Sequence, residues 1–590
     1  MCSGRRRRLE PALRGRVLTR TPLGRAVRTL AAVQTAAHRR GVTPAVIRAE
    51  WAGERERSRG PLDTPPISRR TLLLGAGATA AWLALGPRRP EAQTRAPAAP
   101  KAPKKPTPAV AIVGGGLAGL SAALTLQDAA VPLTLYEASS QVGGRVHSNA
   151  SGYWRDGQVS EWCGELINTD HQTILRLARR FGLQTLDLHA AQAPGAEDAY
   201  HVLGERYPVG EADREFQALY PLLKRDVDAA GEETTYRVKT PVGVALDRLS
   251  IREWIDARVA GGVSSRLGRL LDVAYALEYG AATTDQSALN LVYLLGEQPP
   301  GGRLSLTGLS DERYRIVGGN DRLPKAIVAR LPTDSVRLKW RLQAIAREPD
   351  GRIALAFETP DGPKSVRADH VILALPFAVL RSLDLARAGF DPLKRRAIEE
   401  LGMGRNSKLH LQLTARSWRR PDASPPGTGV VATDRGPLLT WESSRGQAGR
   451  SGLVVCYGLD ESSGALAAPL PWTDAGAHGH VAEMARSTLA ALETVWTGVT
   501  AEWSGLATLS VPFLDPNLNG SYSYYRVGQY HTFGGYEAVR QRNIHFTGEH
   551  TSGEFQGFME GAAAEGVRAA RALLADIRPP AKPARRKRQA

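Results

Sequence analysis

The residues with the clearest chemical capacity in this chain are glycines. Gly114, Gly116 and Gly119 stand as GxGxxG in Gly114-Gly115-Gly116-Leu117-Ala118-Gly119. The first permits a tight turn, the second lets backbone approach a pyrophosphate, and the third lets a helix pack on a strand. Phosphate charge then meets the free N–H groups at the start of the following helix. Glu137 lies 23 positions after Gly114. A carboxylate there can accept hydrogen bonds from both hydroxyls of an unphosphorylated adenosine ribose. Gln141-Val142-Gly143-Gly144-Arg145-Val146 follows at once. Its paired glycines bring backbone close to a ligand, and Arg145 supplies a planar positive fork for a pyrophosphate.

These groups need strands and helices to aim them. Ala109–Val113 is a continuous apolar run suited to a buried parallel strand, and it leads through the glycines into helix-forming Leu120–Leu126. A second strand, Pro132–Tyr136, delivers Glu137. Near the other chain end, Phe546-Thr547-Gly548-Glu549 follows apolar Ile544, and Gly557–Gly566 opens a helix that continues through Val567–Leu574. The N-terminus of that helix can direct N–H groups at the carbonyl end of a flavin. A lone GxGxxG is a weak signal, but strand, turn, helix and Glu137 together predict a dinucleotide. The second glycine pair with Arg145, and contributions from both chain ends, fit a long bipartite cofactor and predict FAD in preference to NAD.

Composition narrows the partners. A chain of 590 residues exceeds a single core and predicts two domains with appendages. The formal charge of +18 suggests nucleic acid until it is located. Residues 1–100 carry 20 Arg and Lys against 6 acidic residues, Lys101, Lys104 and Lys105 add three charges, and residues 577–590 add six. Residues 106–576 are therefore mildly acidic, at about −5. That balance argues against a basic groove on the folded surface, and no nucleic-acid partner is expected. The three cysteines, Cys2, Cys163 and Cys456, make neither a disulfide framework nor a metal motif, and Cys163 reads as a small buried residue. No metal site is expected.

The amino-terminal stretch reads as an address. Ser68-Arg69-Arg70-Thr71-Leu72-Leu73-Leu74 leads into a soft apolar run ending at Gly86, too short and too rich in Ala and Gly to span a membrane. It resembles a twin-arginine export signal, with candidate cleavage sites such as Ala96-Pro97-Ala98. The expectation is export of the folded, cofactor-loaded protein by the twin-arginine machinery to the periplasm or beyond. No stable membrane span is expected after processing. Lys101–Pro108 reads as a linker, and Pro579–Ala590 as a basic, disordered tail.

The blocks VAIVGGGLAGLSAA, YEASSQVGGRV, EWCGELIN, RYRIVGGNDRLP, VILALPF, MGRNSKLHLQL and FTGEHTSGEFQGFMEGA occur in the order found in flavin-containing amine oxidases. That family includes monoamine oxidases, polyamine oxidases and L-amino-acid oxidases. The likeness spans about Ala109 to Leu574 and is strongest at both ends. It implies an α/β fold in which a Rossmann-type FAD-binding domain (106–182, 311–383, 518–576) is interleaved with a mixed-sheet-plus-helices substrate domain (183–310, 384–517). The leader and linker would cover 1–105 and the tail 577–590. By similarity, FAD contacts Gly114, Gly116, Gly119, Glu137, Gly144, Arg145, Leu342 (by backbone, near adenine), Glu549 and Met559.

The resemblance also implies chemistry. Lys408 falls where the family keeps a lysine that holds a water near flavin N5, although its alternation with Leu409, Leu411 and Leu413 equally fits a solvated lysine on an edge strand. Tyr522 and Phe558 align with the aromatic pair flanking the substrate amine in monoamine oxidases, with Phe558 departing from the usual Tyr or Trp. Ser521 stands where those enzymes carry the cysteine bonded to flavin, so FAD is expected to be non-covalent. The implied reaction is oxidative deamination of a small-molecule amine or L-amino acid. Hydride passes to flavin N5, the imine hydrolyses to a carbonyl product and ammonia, and O2 accepts the electrons to give hydrogen peroxide. An L-amino acid requires a cation to fork its carboxylate. Gly164-Glu165-Leu166-Ile167, where some of these oxidases place an arginine, has none, leaving Arg315 or Arg526 as candidates. His147, His171, His410 and His550 read as structural. The rivals are a flavin desaturase of C–C bonds and a non-catalytic FAD-binding protein. A homodimer is compatible with the sequence.

Overall fold

The chain is described from a computed structural model, which covers residues 108–299, 303–420, 426–435, 438–459 and 468–577. The twin-arginine leader and the basic tail beyond Ile577 lie outside the described residues.

Five strands make one parallel sheet in the order Ile544–Phe546, His370–Leu373, Val110–Val113, Thr134–Glu137, Val336–Leu338. They come from three separated stretches of chain. The central strand Val110–Val113 is buried throughout, which is why it reads as an unbroken apolar run. Its alternate residues enter different cores. Val110 and Ile112 pack with Leu120 and Leu124 of the helix Leu117–Asp128 and with Ala569 and Leu573 of the last helix, Met559–Ile577. Ala111 and Val113 face the other way, against Leu342, Ile353 and Phe357 of a three-stranded antiparallel sheet over residues 341–368. Both helices start within a few residues of the positions expected, the last one at Met559 after the glycine-rich turn.

The second body is built on an eight-stranded mixed sheet. Asn406–Leu413 is its third strand, antiparallel to Gly452–Leu459 on one side and Trp503–Ser510 on the other. All eight of its residues are buried. Leu409, Leu411 and Leu413 pack on Val481 and Leu489 of the helix Gly479–Leu492. The Lys408, His410, Gln412 face is covered by residues 153–165, with Gln412 Nε2 donating to Gln158 Oε1 at 3.0 Å. The edge-strand alternative for Lys408 therefore fails, because the strand is flanked on both sides and covered on both faces. Among the described residues no helix is long and apolar enough to cross a membrane.

Candidate active site

The glycine turn is built by close approach. A Cβ on Gly119 would stand 1.9 Å from the Gly114 carbonyl oxygen, so no side chain fits there and the helix sits directly on the turn. A Cβ on Gly116 would meet nothing within 4 Å, because that position opens onto a cavity. The second glycine pair closes on the first, with Gly143 N donating to Gly115 O at 2.9 Å. Glu137 is buried, its Oε2 accepting from Gly115 N at 2.6 Å and its Oε1 from Ser139 N at 2.7 Å. The two bonds fix its orientation and leave each oxygen a lone pair for a ribose hydroxyl.

The cavity holds about 610 Å³, within the roughly 300–1,000 Å³ typical of ligand sites. Its wall includes Gly114, Gly116, Glu137, Gly144, Arg145, Leu342, Glu549 and Met559 at the dinucleotide end, and Lys408, Tyr522 and Phe558 farther along. Gly119 is the one expected cofactor residue that stands behind the wall, supporting the turn. The open face at Gly116, the buried carboxylate of Glu137 and the volume of the cavity fit FAD.

Arg145 does more than offer a fork. Its Nη1 donates to Glu549 Oε1 at 3.0 Å and to Ser521 O at 2.6 Å. Glu549 also accepts from Ser523 N, Ser523 Oγ and Gly557 N at 2.7–3.1 Å. Burial alone would lift the Glu549 carboxyl, but Arg145, His550 and these donors outweigh it and hold it low. The ion pair thus ties the first cofactor stretch to the last. Ser521 Oγ donates to Asn406 Oδ1 at 2.7 Å and carries no sulfur for a flavin thioether. Acid-precipitated protein is accordingly expected to leave its flavin in the supernatant. Yellow colour retained in the pellet would contradict non-covalent binding.

Glu137→Ala is expected to weaken FAD binding at least about tenfold with the fold intact, since each hydrogen bond to a charged acceptor contributes about 1.5–3 kcal/mol. Fluorescence titration of apoprotein with FAD measures this. An unchanged affinity would place the adenosine end elsewhere.

Lys408 is 7% exposed and its ammonium is held from three sides. It donates to Cys163 O at 2.6 Å and to Glu165 Oε2 at 3.0 Å, and lies 5.2 Å from the centre of the Trp441 ring. Glu165 is shared: its Oε1 accepts from Ser443 Oγ at 2.7 Å and lies 3.4 Å from Arg315 Nη1. Burial would raise the Glu165 carboxyl, but Lys408, Arg315, His410 and Ser443 together bring it down to about 2. Cys163 lines the cavity, half-buried, where a purely buried residue was expected, and burial pushes its thiol up to about 11.

The aromatic pair is present but differently held. The Tyr522 hydroxyl lies 3.0 Å from that of Tyr457 and donates to Glu278 O. Phe558 packs against His171, with ring centres 5.2 Å apart. Trp441 and Tyr457, 5.3 Å apart, complete the aromatic wall. Neither carries a signal in the sequence, because both lie in the middle stretch where no spacing marks them, and Glu165 shows there only as the absence of an arginine.

Both candidate carboxylate forks are corrected by the structure. Arg315 is buried against Glu165 and Ser443, and Arg526 pairs with Asp285 at 3.3 Å in a separate pocket. Neither lines the cavity among the described residues. Burial draws His171, His410 and His550 down to about 4, 3 and 4, so these three are not poised to exchange protons near neutrality, and burial lowers His147 as well.

Comparison with known proteins follows the same outline. A polyamine oxidase of Arabidopsis thaliana is 26% identical over 492 residues, 79% of this chain and 87% of the relative. An L-amino acid oxidase of Lachesis muta is 22% identical over 491 residues, 78% of this chain and 86% of the relative. The solved structure of a cyclohexylamine oxidase from Brevibacterium oxydans superposes with a TM-score of 0.67 at 20% identity, covering 80% of this chain and 100% of that one. The model of flavin containing amine oxidoreductases matches residues 117–574, a span that starts just after Gly114 and Gly116 and holds Glu137, Arg145, Glu549 and the buried lysine, and the chain belongs to this family.

Proposed function

We propose that the protein oxidises a small-molecule amine, in preference to an L-amino acid, and passes the electrons to O2 with release of hydrogen peroxide. Bound FAD supplies the two-electron acceptor. The chain's own contribution is charge and shape. The observation that carries the choice of substrate is the acidic make-up of the cavity wall: Glu165, Asp198, Glu278 and Glu312 all line it, Glu165 held ionised and the other three raised by burial. Among the described residues the lining cations are Lys408, already engaged by Glu165, and Arg145 and Arg341, which flank the glycine-rich turn and Leu342 at the dinucleotide end. A substrate carboxylate would meet acidic groups without a fork and raise them further, whereas an ammonium draws out their ionised forms.

The same carboxylates are poised to respond. Burial pushes Glu278 up to about 7. Burial within the cavity and the neighbouring Glu278, Glu165 and Asp198 push Glu312 up to about 8 against the pull of Arg445. An arriving cation favours their ionised forms. Tyr522, Tyr457 and Trp441 offer ring faces to the amine and exclude water from the reacting carbon. The test is a peroxide assay of the flavin-loaded protein on matched pairs, each amine against its parent L-amino acid. Oxidation of the amines alone is expected. Turnover of the amino acids in place of the amines would overturn the substrate choice, and peroxide from neither would overturn the oxidase reading.

We further propose export by the twin-arginine route, supported by Arg69 and Arg70 abutting the soft apolar run. Changing both to Lys should trap folded, yellow protein in the cytoplasm. Unchanged export would refute this.

A further inference from the structure

A second cluster of chemistry-bearing side chains lies away from the cavity, at the start of the parallel sheet. His370 opens the strand His370–Leu373, and Ile372 pairs in register with His545 of the neighbouring strand. Strand periodicity therefore turns His370 and His545 to the same face. That face carries Ile372 into the core beneath Ala569, Ala570 and Leu573 of the last helix. Asp576, near the end of that helix, comes down onto the two imidazoles, one oxygen 3.5 Å from His545 Nε2. One ligand atom from each residue lies within 4.8 Å of the other two.

Two features set the cluster apart from an ordinary ion pair. His545 is 1% exposed, yet its Nε2 has no hydrogen-bond partner, and Nδ1 of His370 is likewise buried without one. A buried imidazole nitrogen left unpaired forfeits about 1–3 kcal/mol, which a ligand would recover. Burial also disfavours the protonated form of both rings, holding His545 down to about 4 and lowering His370, with Arg540 adding to both. Arg540 donates to Asp576, and Arg568 and Asp369 are the other charges nearby.

We propose that His370, His545 and Asp576 form a binding site for a divalent transition metal that pins the end of the last helix to the parallel sheet. Two imidazoles and one carboxylate with a fourth position for water are the ligand chemistry of Zn(II). Ligand atoms around tetrahedral zinc stand roughly 3.3 Å apart, so the cluster must contract. The buried His545 anchors it, while half-buried His370 and exposed Asp576 have room to turn inward.

The test uses the full-length, untagged, FAD-loaded protein after chelator treatment, titrated with Zn(II) chloride in a calorimeter. One equivalent is expected to bind at micromolar concentration or below. Co(II) in its place should give ligand-field bands beyond the long-wavelength edge of the flavin spectrum. Affinity should fall at least roughly tenfold in His545→Asn, His370→Asn and Asp576→Asn alike. If His545→Asn fails to fold, the two marginal positions carry the test. Absence of saturable uptake overturns the proposal, as does equal uptake by the wild type and the variants, which would place the metal on other histidines.

Discussion

Lys408→Met is expected to slow reoxidation of the reduced, FAD-loaded protein by oxygen by roughly tens- to a thousandfold, the equivalent of about 2–4 kcal/mol. The reason is electrostatic. Electron transfer to oxygen builds negative charge, and a fixed ammonium in a water-poor site stabilises it without reorganising. Lys408 meets the structural condition, since it lines the cavity and is clamped by Glu165, Cys163 O and Trp441. A surface lysine would change stability by under about 0.5 kcal/mol and leave kinetics alone. Stopped-flow mixing of anaerobically reduced variant with oxygenated buffer reads the oxidative step, and anaerobic reduction by substrate reads the other. A reoxidation rate equal to that of the wild type would leave Lys408 as a buried ion-pair partner only.

Glu165→Leu should have the largest effect on stability. It leaves Lys408 and Arg315 buried without their common counter-ion, and breaking one partner of a buried pair costs about 3–5 kcal/mol. Urea denaturation of the FAD-loaded protein measures this. If the midpoint is unchanged, water or another acceptor replaces the carboxylate and the clamp is dispensable. The double variant Glu165→Leu with Lys408→Met should recover part of the loss, because only one cation then remains unpaired. The sign of the pH dependence follows from the same pair. Glu165 is depressed from 4.5 to about 2 in the folded protein, so its stabilisation is complete above about 4.5 and is lost as pH falls toward 2. Glu165→Gln should lack that part of the acid sensitivity.

The cofactor end of this protein was legible in the sequence because its chemistry is made by backbone. A turn that excludes every Cβ at Gly119, a strand buried on both faces at Val110–Val113 and a carboxylate at Glu137 leave local, closely spaced signatures. The substrate end left few. Asp198, Glu278, Glu312, Trp441 and Tyr457 are far apart in the chain and converge only when the eight-stranded sheet and its helices assemble, so no spacing connects them. Lys408 shows the division within one residue. Alternation in Asn406–Leu413 determined which residues share its face, but whether that face met water or core depended on strands and loops that pair with it across the sheet. Arg315 and Arg526 were ambiguous for the same reason. A guanidinium's role is set by the nearest carboxylate, and Glu165 and Asp285 stand 150 and 241 positions away along the chain. The sequence by itself determined the family, the cofactor and the covalent possibilities at Ser521, all of which reside in local backbone or in a single side chain. The tertiary structure alone decided which acidic groups share the cavity wall and which partners hold the buried lysine, because electrostatics acts through space between groups that the chain order does not bring together.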